Sequence, residues 1–528
     1  MPAFAGMTKE RMASRSLLKS TGVVSAMTLL SRILGFVRDQ SQAILFASSP
    51  GMDAFLVAFR IPNLFRRLFA EGAFSQSFVP VLTEARTTRS PEEVKRLVDV
   101  VAGTLAGILG AFTLVAIVAA PGIMFVFAPG FAANPAKFAL GVELLRWTFP
   151  FLLFISLTAF AAGILNTYGK FAGPAFNPAW MNVVLIAAAW WFGSVQALAI
   201  GVLISGIVQL AFLLPGVARL GLLPRPRWGW HDPLVRRIIT LMVPIMFGSS
   251  ASQLSLLFDT IIASFLKGDG NVAWLWWADR LMEFPLGTFS VAIATVLLPS
   301  LAAQFARKSD REFSDTLDWG IRLMLLIGVP ATLGLTLLAG PLICALFQYR
   351  AFSGHDTYMT AWALVAYAAG FLGFSLVKVL VLGFYARQQT RIPVRFAIVA
   401  FTSGMACSAT FTGLAVYLHF IAPHAAIALA TSTGAWINAL LLLHRLRKDG
   451  IYQPAPGWPK FGLQLFVANA LMALLLVACS GPLDSWTTAA APIRLARLAV
   501  VMALAMVTYF GALWMTGVRP AQFRHASH

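Results

Sequence analysis

The sequence predicts an all-α integral membrane protein with about 14 transmembrane helices, arranged as two six-helix lobes in a parallel pseudo-repeat plus two C-terminal helices. Composition is the first observation behind this prediction. Of the 528 residues, 59% are hydrophobic and 12% are charged, and the mean hydropathy is +0.77. Soluble domains use about half apolar and about a quarter charged residues. The chain must therefore reside in lipid.

Long apolar segments are the second observation. A membrane-spanning helix needs about 20 predominantly apolar residues, and such segments recur along the whole chain. Their even number places both termini on the same side of the membrane. The predicted spans are 21–47, 53–84, 98–127, 139–166, 174–193, 196–218, 238–266, 272–303, 320–346, 358–386, 393–416, 422–444, 461–480 and 495–517.

The distribution of basic residues is the third observation. With the N-terminus placed in the cytoplasm, most of the 40 Lys and Arg residues fall in cytoplasmic segments, as the positive-inside rule requires. The opposite side holds few of them: Lys137, Lys267, Arg350, Arg494 and Arg497. Membrane topology thus explains the net charge of +19. We therefore expect both termini to be cytoplasmic and no nucleic acid to be bound.

An internal repeat is predicted from paired charges. Asp39 and Arg60 have the same separation as Asp259 and Arg280, which corresponds to an offset of about 220 residues between two related bundles. Chance similarity between apolar helices is the alternative. The predicted organisation is a cytoplasmic segment 1–20, an N-lobe 21–219 with helices 1–6, a linker 220–237, a C-lobe 238–445 with helices 7–12, a region 446–517 with helices 13 and 14, and a cytoplasmic tail 518–528.

Charged residues inside the first two spans are candidates for a substrate site. An arginine at bilayer depth costs at least about 2.5 to 3.5 kcal/mol, so it should face a cavity, a partner or a substrate. In the first span, Arg32 and Asp39 share a helix face and Arg38 points elsewhere. In the second span, a polar stripe typical of a water-filled cavity is formed by Arg60, Asn63, Arg67 and Glu71, with Arg66 off the stripe. Snorkelling to the interface, or an Arg67–Glu71 pair, is the alternative.

The second half of the chain offers fewer candidates. Asp279, Arg280 and Glu283 lie within one helical turn, where a structural salt bridge and a substrate contact are equally consistent with the pattern. Asp259 is a lone acid in the seventh span. It is a candidate for ion or proton coupling, although a hydrogen-bonded structural role is equally consistent with its position.

Signatures of enzymes and metal sites are missing from the sequence. The segment GILNTYGKF has the wrong glycine spacing for a phosphate loop, and neither HExxH nor CxxC occurs. The three cysteines, Cys344, Cys407 and Cys479, are far apart and lack the spacing of a metal or disulfide framework. We therefore expect no metal, no cofactor and no catalytic residue. A transporter is favoured over a lipid-processing membrane enzyme.

Three stretches resemble one known family. In chain order they read SRILGFVRD, DAFLVAFRIPNLFRRLFAEGAFSQSFVPVL and ADRLMEFPLGTFSVAIATVLLPSL, and they are similar to the MurJ (MviN) lipid II flippases of the multidrug/oligosaccharidyl-lipid/polysaccharide exporter superfamily. The resemblance implies that lipid II, the undecaprenyl-diphosphate-linked disaccharide pentapeptide, is moved from the cytoplasmic to the periplasmic leaflet of the bacterial inner membrane. Alternating access between the lobes would move it, with the lipid tail beside helices 13 and 14.

The resemblance also assigns residues and partners. The family's cavity arginines fall on Arg32, Arg38, Arg66 and Arg280, and its sensitive acids fall on Asp39 and Asp53. Expected partners are lipid II, membrane lipids, and proteins of peptidoglycan synthesis or division. The alternatives are an exporter of another polyprenyl-diphosphate-linked oligosaccharide or of a drug, and a membrane lipid-processing enzyme such as a glycosyltransferase or diphosphatase. A pump for cationic drugs would favour acids rather than arginines in its cavity.

Overall fold

Helices account for the regular structure of the described chain. The computed structural model describes the backbone of residues 2–67 and 73–519, and the side chains of residues 22, 25–67, 73–246, 254–287 and 293–519; no strand occurs there. The helices of the first half are α1 (Pro2–Phe46), α2 (Pro50–Phe65), α3 (Ser75–Thr88), α4 (Pro91–Val118), α5 (Ala120–Phe127), α6 (Pro135–Thr148), α7 (Phe151–Thr167), α8 (Ala172–Phe176), α9 (Pro178–Phe192) and α10 (Val195–Arg219). Those of the second half are α11 (Pro233–Phe265), α12 (Asn271–Ala306), α13 (Asp310–Leu337), α14 (Ala339–Phe347), α15 (Gly354–Tyr385), α16 (Arg391–Tyr417), α17 (His424–Lys448), α18 (Trp458–Ser480), α19 (Asp484–Thr487) and α20 (Ala491–Met515).

Every predicted span coincides with one helix or with two consecutive helices, which confirms the all-α membrane fold. Within the described residues, 10 helical segments are long and apolar enough to cross a membrane. The other four predicted spans, 21–47, 53–84, 238–266 and 272–303, contain the candidate polar residues. The count of about 14 spans stays a prediction.

The chain divides into two compact units, Met1–Gln253 and Leu254–His528. The division falls inside α11 rather than in the predicted linker 220–237. Val235 and Ile238, from the first turns of α11, belong to the apolar core of the first unit. Helix α11, which corresponds to the predicted span 238–266, therefore contributes residues to both units. The predicted domain boundaries stay a prediction.

Two prolines inside helices leave a backbone carbonyl without its helical hydrogen-bond donor, and a side-chain hydroxyl from another helix donates to that carbonyl instead. Pro62 lacks an N–H, so the carbonyl of Ala58 loses its helical donor, and the Thr148 hydroxyl of α6 donates to it at 2.9 Å. Pro330 has the same effect in α13. There the hydroxyl of Tyr509 from α20 donates, at 2.6 Å, to the carbonyl four residues before the proline. Both bonds tie helices together where lipid offers no donor.

The segment after α10 is held by an acid on α4. Asp99 accepts the backbone N–H of Arg225 on its carboxylate at 2.7 Å and that of Arg227 on its carbonyl at 3.0 Å. Lys95 forms an ion pair with the same carboxylate. Gly103 allows the close approach, because a Cβ there would lie 2.3 Å from the backbone of Arg227. The connecting segment is thus fixed against the first unit.

A second acid holds the segment after α17 in the same way. Asp318 of α13 is 3% exposed and accepts hydrogen bonds from Tyr452 at 2.7 Å, Trp458 at 2.8 Å and the backbone of Ala455 at 3.3 Å. Arg322 pairs with its other oxygen at 2.7 Å. Burial and this carboxylate raise the pKa of Tyr452, so its phenol stays protonated and continues to donate.

Replacing Asp318 with alanine is expected to destabilise the second unit by about 3 kcal/mol, because buried donors and the Arg322 guanidinium lose their acceptor. The thermal unfolding midpoint of the purified protein measures the effect. Asp315→Ala, an exposed acid on the same helix, is the matched control and should leave the midpoint within about one degree. Equal midpoints for the two variants would contradict this role of Asp318.

Candidate functional site

Arg38 and Asp39 form a buried ion pair in α1. The guanidinium donates from Nε at 2.9 Å and from NH2 at 2.6 Å to one oxygen of Asp39, and the two residues are 8% and 5% exposed. A third hydrogen bond runs from NH1 to the amide oxygen of Asn182 on α9, at 3.1 Å. Helix periodicity predicted that Arg32 and Asp39 share a face. The flexible side chain of Arg38 instead brings its guanidinium to the neighbouring acid.

Arg32 is exposed in the first unit. It lies nearly two turns before Arg38 on α1, in a stretch whose apolar side chains are also exposed, such as Leu29 and Ile33. Such a guanidinium retains its donors for an anion. The structure thus places the first two candidate arginines on one helix, in different states: one exposed and one buried against an acid.

The polar stripe of the second predicted span ends in an irregular backbone. The α-helical pattern stops at Phe65, and Arg66 and Arg67 are π-helical. Arg66 donates from Nε to the side-chain oxygen of Asn63 at 2.8 Å. Arg66 therefore joins the stripe from which α-helical periodicity excluded it. Irregular π turns are frequent at functional sites.

Arg38 of the first span and Arg66 and Arg67 of the second form one electrostatic cluster. Arg66 interacts with the charges of Arg67 and Arg38, so repulsion among these guanidinium groups favours an anionic ligand. Arg60 lies one helical turn before Asn63 on α2, half-buried. Glu71, the last member of the predicted stripe, lies outside the described residues.

Asp53 forms a buried ion pair with a lysine. Its carboxylate is 1% exposed and pairs with the ammonium of Lys137 at 2.8 Å. Lys137 is itself buried and stacks over the ring of Phe131, at 4.5 Å from the ring centroid. Asp53 thus contributes a neutralised pair that joins α2 to α6.

The candidates in the second unit carry more acid than base. Arg280 pairs with Glu283 at 2.6 Å and lies 3.8 Å from Asp279. Its guanidinium also stacks on Trp276, 4.5 Å from the ring centroid. Asp259 is 6% exposed and accepts a hydrogen bond from Thr431 of α17 at 2.9 Å. The described candidates of this unit are thus one arginine and three acids.

The first unit has the opposite balance. Its described candidate cations are Arg32, Arg38, Arg60, Arg66 and Arg67, and Asp39 is the candidate acid that remains after Asp53 is paired with Lys137. Guanidinium groups bind phosphate oxygens through paired hydrogen bonds. The candidate cations of the first unit therefore have the chemistry that suits a phosphorylated anion. Among the described residues, no group of His, Cys, Asp or Glu side chains is arranged to hold a metal ion.

Sequence reasoning missed three residues of these arrangements. Asn182, Thr431 and Trp276 contact candidate charges, but a neutral polar or aromatic residue in an apolar run is common in membrane helices. The available signal was the amide of Asn182 in a strongly apolar segment. Lys137 was treated only as a charge on the outer side of the membrane.

The chain is similar to known proteins over most of its length. A family model described as lipid II flippase MurJ matches residues 42–497. The "Lipid II flippase MurJ" of Burkholderia cenocepacia is 41% identical over 519 residues, which cover 96% of this chain and 99% of that protein. The "Probable lipid II flippase MurJ" of Vibrio cholerae is 40% identical over 526 residues, covering 97% and 99%.

Solved structures agree in fold. A lipid II flippase MurJ in an inward closed conformation superposes with a TM-score of 0.76 at 24% identity, covering 93% of this chain and 99% of that chain. An inward-facing multidrug transporter of the MATE family gives 0.65 at 14% identity, covering 81% and 98%. The structural likeness shows a shared fold, and the sequence matches go further: this chain belongs to the MurJ family of lipid II flippases.

Proposed function

We propose that the chain is a lipid II flippase of the bacterial inner membrane, with both termini in the cytoplasm. The cluster of arginines in the first unit carries the proposal, because it places several guanidinium groups within an otherwise apolar helical protein. Such a cluster is costly in lipid unless it faces a water-filled cavity, a charged partner or an anionic ligand. The diphosphate of lipid II is an anion of this kind.

Arg38 and Arg66 are the proposed diphosphate contacts, assisted by Arg32, Arg60 and Arg67. Their planar guanidinium groups can each donate two parallel hydrogen bonds to phosphate oxygens. Asn63 orients Arg66 through the 2.8 Å bond. Substrate contact by Arg280 stays a prediction.

Movement of the substrate is proposed to follow alternating access, in which the site opens first to the cytoplasm and then to the periplasm. Transporters of this fold have been solved in inward-facing and outward-facing forms. A flippase makes and breaks no covalent bond, which agrees with the absence of catalytic motifs in the sequence. Contacts with proteins of peptidoglycan synthesis or division stay a prediction.

Reconstitution tests the proposal. Purified protein is inserted into liposomes that hold lipid II in one leaflet, and the appearance of lipid II in the other leaflet is followed with an impermeant reagent that reacts with the exposed headgroup. We expect translocation of lipid II. Empty liposomes and liposomes with heat-denatured protein serve as controls. Lack of translocation, or formation of a cleaved or glycosylated product, would overturn the proposal.

A competition experiment distinguishes lipid II from the alternative class of substrate, another lipid-linked oligosaccharide. An undecaprenyl-diphosphate-linked O-antigen oligosaccharide has the same tail and diphosphate but different sugars and no peptide. Stronger competition by this lipid than by unlabelled lipid II would favour an exporter of another lipid-linked oligosaccharide. Equal or weaker competition would favour lipid II.

Asp259 is proposed as the residue that couples transport to an ion or proton. Asp259→Asn removes the negative charge but keeps an acceptor for Thr431, so we expect lipid II binding to be retained and net translocation to fall about tenfold. Proteoliposomes with imposed proton or sodium gradients measure the effect. Thr431→Val, which removes the 2.9 Å bond but keeps the acid, should respond to the gradient. Gradient-driven transport by Asp259→Asn at the wild-type rate would exclude the coupling role.

A further inference from the structure

Asn182 links the candidate arginine of α1 to the backbone of the same helix. Its amide oxygen accepts from Arg38 at 3.1 Å, and its amide nitrogen donates to the carbonyl of Ser31 at 3.0 Å. The side chain is 5% exposed. Gly35 lies between the two contacts on α1, where a Cβ would lie 3.7 Å from the Asn182 amide. One side chain of α9 thus bridges nearly two turns of α1.

The two hydrogen bonds require an amide at this position. The oxygen must face the guanidinium and the NH2 group must face the carbonyl, because a reversed amide would place donor against donor and acceptor against acceptor. An aspartate in its place would turn an acceptor toward the carbonyl of Ser31. It would also add a second negative charge beside Asp39.

The same contacts leave part of the Arg38 guanidinium available. Of its five N–H groups, Asp39 takes two and Asn182 takes one in the described structure. Two donors therefore remain on a guanidinium that is fixed on two sides. A fixed guanidinium loses less conformational entropy when it binds a phosphate.

We propose that Asn182 is a positioning residue for diphosphate recognition: it holds Arg38 in place, without adding charge, so that the remaining donors meet the anion. This inference rests on the proposed function of the arginine cluster. Asn182 itself need not touch the substrate. Its effect on binding passes through Arg38.

The test measures binding to the purified full-length protein in lipid nanodiscs. The probe is farnesyl diphosphate, a soluble polyprenyl diphosphate, and farnesol is the matching probe without the anion. We expect Asn182→Ala to raise the Kd for farnesyl diphosphate about tenfold, the size of one hydrogen bond to a charged group. Asn182→Asp should raise it further, although it keeps an acceptor for Arg38. Farnesol binding should not change.

Asn469→Ala is the matched control. Asn469 is also 5% exposed and donates to a helix carbonyl, that of Leu465, at 2.7 Å in α18. We expect it to lower the melting temperature about as much as Asn182→Ala and to leave the Kd within about twofold. A similar rise in Kd for both variants would mean that Asn182 acts only through general stability.

A double-mutant cycle decides whether Asn182 acts through Arg38. We expect Asn182→Ala to have no further effect on the Kd when Arg38→Ala is already present. Additive effects, or wild-type binding by Asn182→Asp, would overturn the inference. If Arg38→Ala weakens binding and the Asn182 variants do not, the inference alone fails. If Arg38→Ala also leaves the Kd unchanged, the proposed anion site fails with it.

Discussion

Replacing Arg38 with alanine is expected to lower lipid II translocation at least about 100-fold. The variant loses charge-assisted hydrogen bonds to the diphosphate, each worth about 1.5 to 3 kcal/mol. It also leaves the 5% exposed carboxylate of Asp39 without its guanidinium, so a negative charge would face an anionic substrate. The initial rate of lipid II translocation in proteoliposomes measures the loss.

Two further variants separate charge from geometry. Arg38→Lys keeps the positive charge but cannot form the paired bonds of a guanidinium, so an intermediate rate is expected. Arg146→Ala removes a cation that is exposed on α6 and donates to the carbonyl of Ile117 at 3.4 Å. It should translocate at nearly the wild-type rate. Wild-type transport by Arg38→Ala, with the same amount of folded protein, would exclude the diphosphate role.

The fold was predictable because its main determinant is local. Apolar runs of membrane length are read directly from the sequence, and each predicted run coincides with helices. The interruption near Arg66 was not predictable, since an apolar run does not reveal whether its backbone turns from α-helical to π-helical. The division of α11 between the two units was also hidden, because it depends on which core the side chains of Val235 and Ile238 enter.

The candidate site was predictable only as a set of charges. An arginine in an apolar run stands out by its cost in lipid, which singled out Arg32, Arg38 and Arg280. The partners of these charges depend on tertiary packing. Asn182 is 144 residues from Arg38, and Lys137 is 84 residues from Asp53. Helical periodicity relates residues within one helix and carries no information about such distant pairs.

The predicted repeat is supported by contacts more than by residue identity. Asp99 and Asp318, about 220 residues apart as a two-lobe repeat requires, each hold the segment that follows α10 or α17. A cation–π pair recurs at the same offset with its members exchanged: the guanidinium of Arg86 lies 4.3 Å from the ring of Tyr168. Its counterpart is the Arg387 guanidinium, 5.4 Å from the Phe305 ring. A comparison of the two halves by residue identity does not detect this pair, because the cation and the aromatic ring exchange positions between the halves.

Replacing Lys137 with alanine is expected to destabilise the first unit by about 3 to 5 kcal/mol, the cost of breaking a buried ion pair from one side. The Asp53 carboxylate would lose its ammonium partner while 1% exposed. The contact of Lys137 with the Phe131 ring would also be lost. The thermal unfolding midpoint and the yield of folded, monodisperse protein measure the effect.

The double variant Asp53→Leu/Lys137→Met distinguishes a structural pair from a substrate contact. It replaces both charges with apolar groups of similar size, so it should recover most of the stability lost in Lys137→Ala. If the pair is structural, the double variant should also translocate lipid II, because the arginine cluster remains intact. Recovered stability without transport would instead assign Asp53 a role in substrate movement, as the family resemblance implied. The stability of the double variant therefore decides how its transport is interpreted.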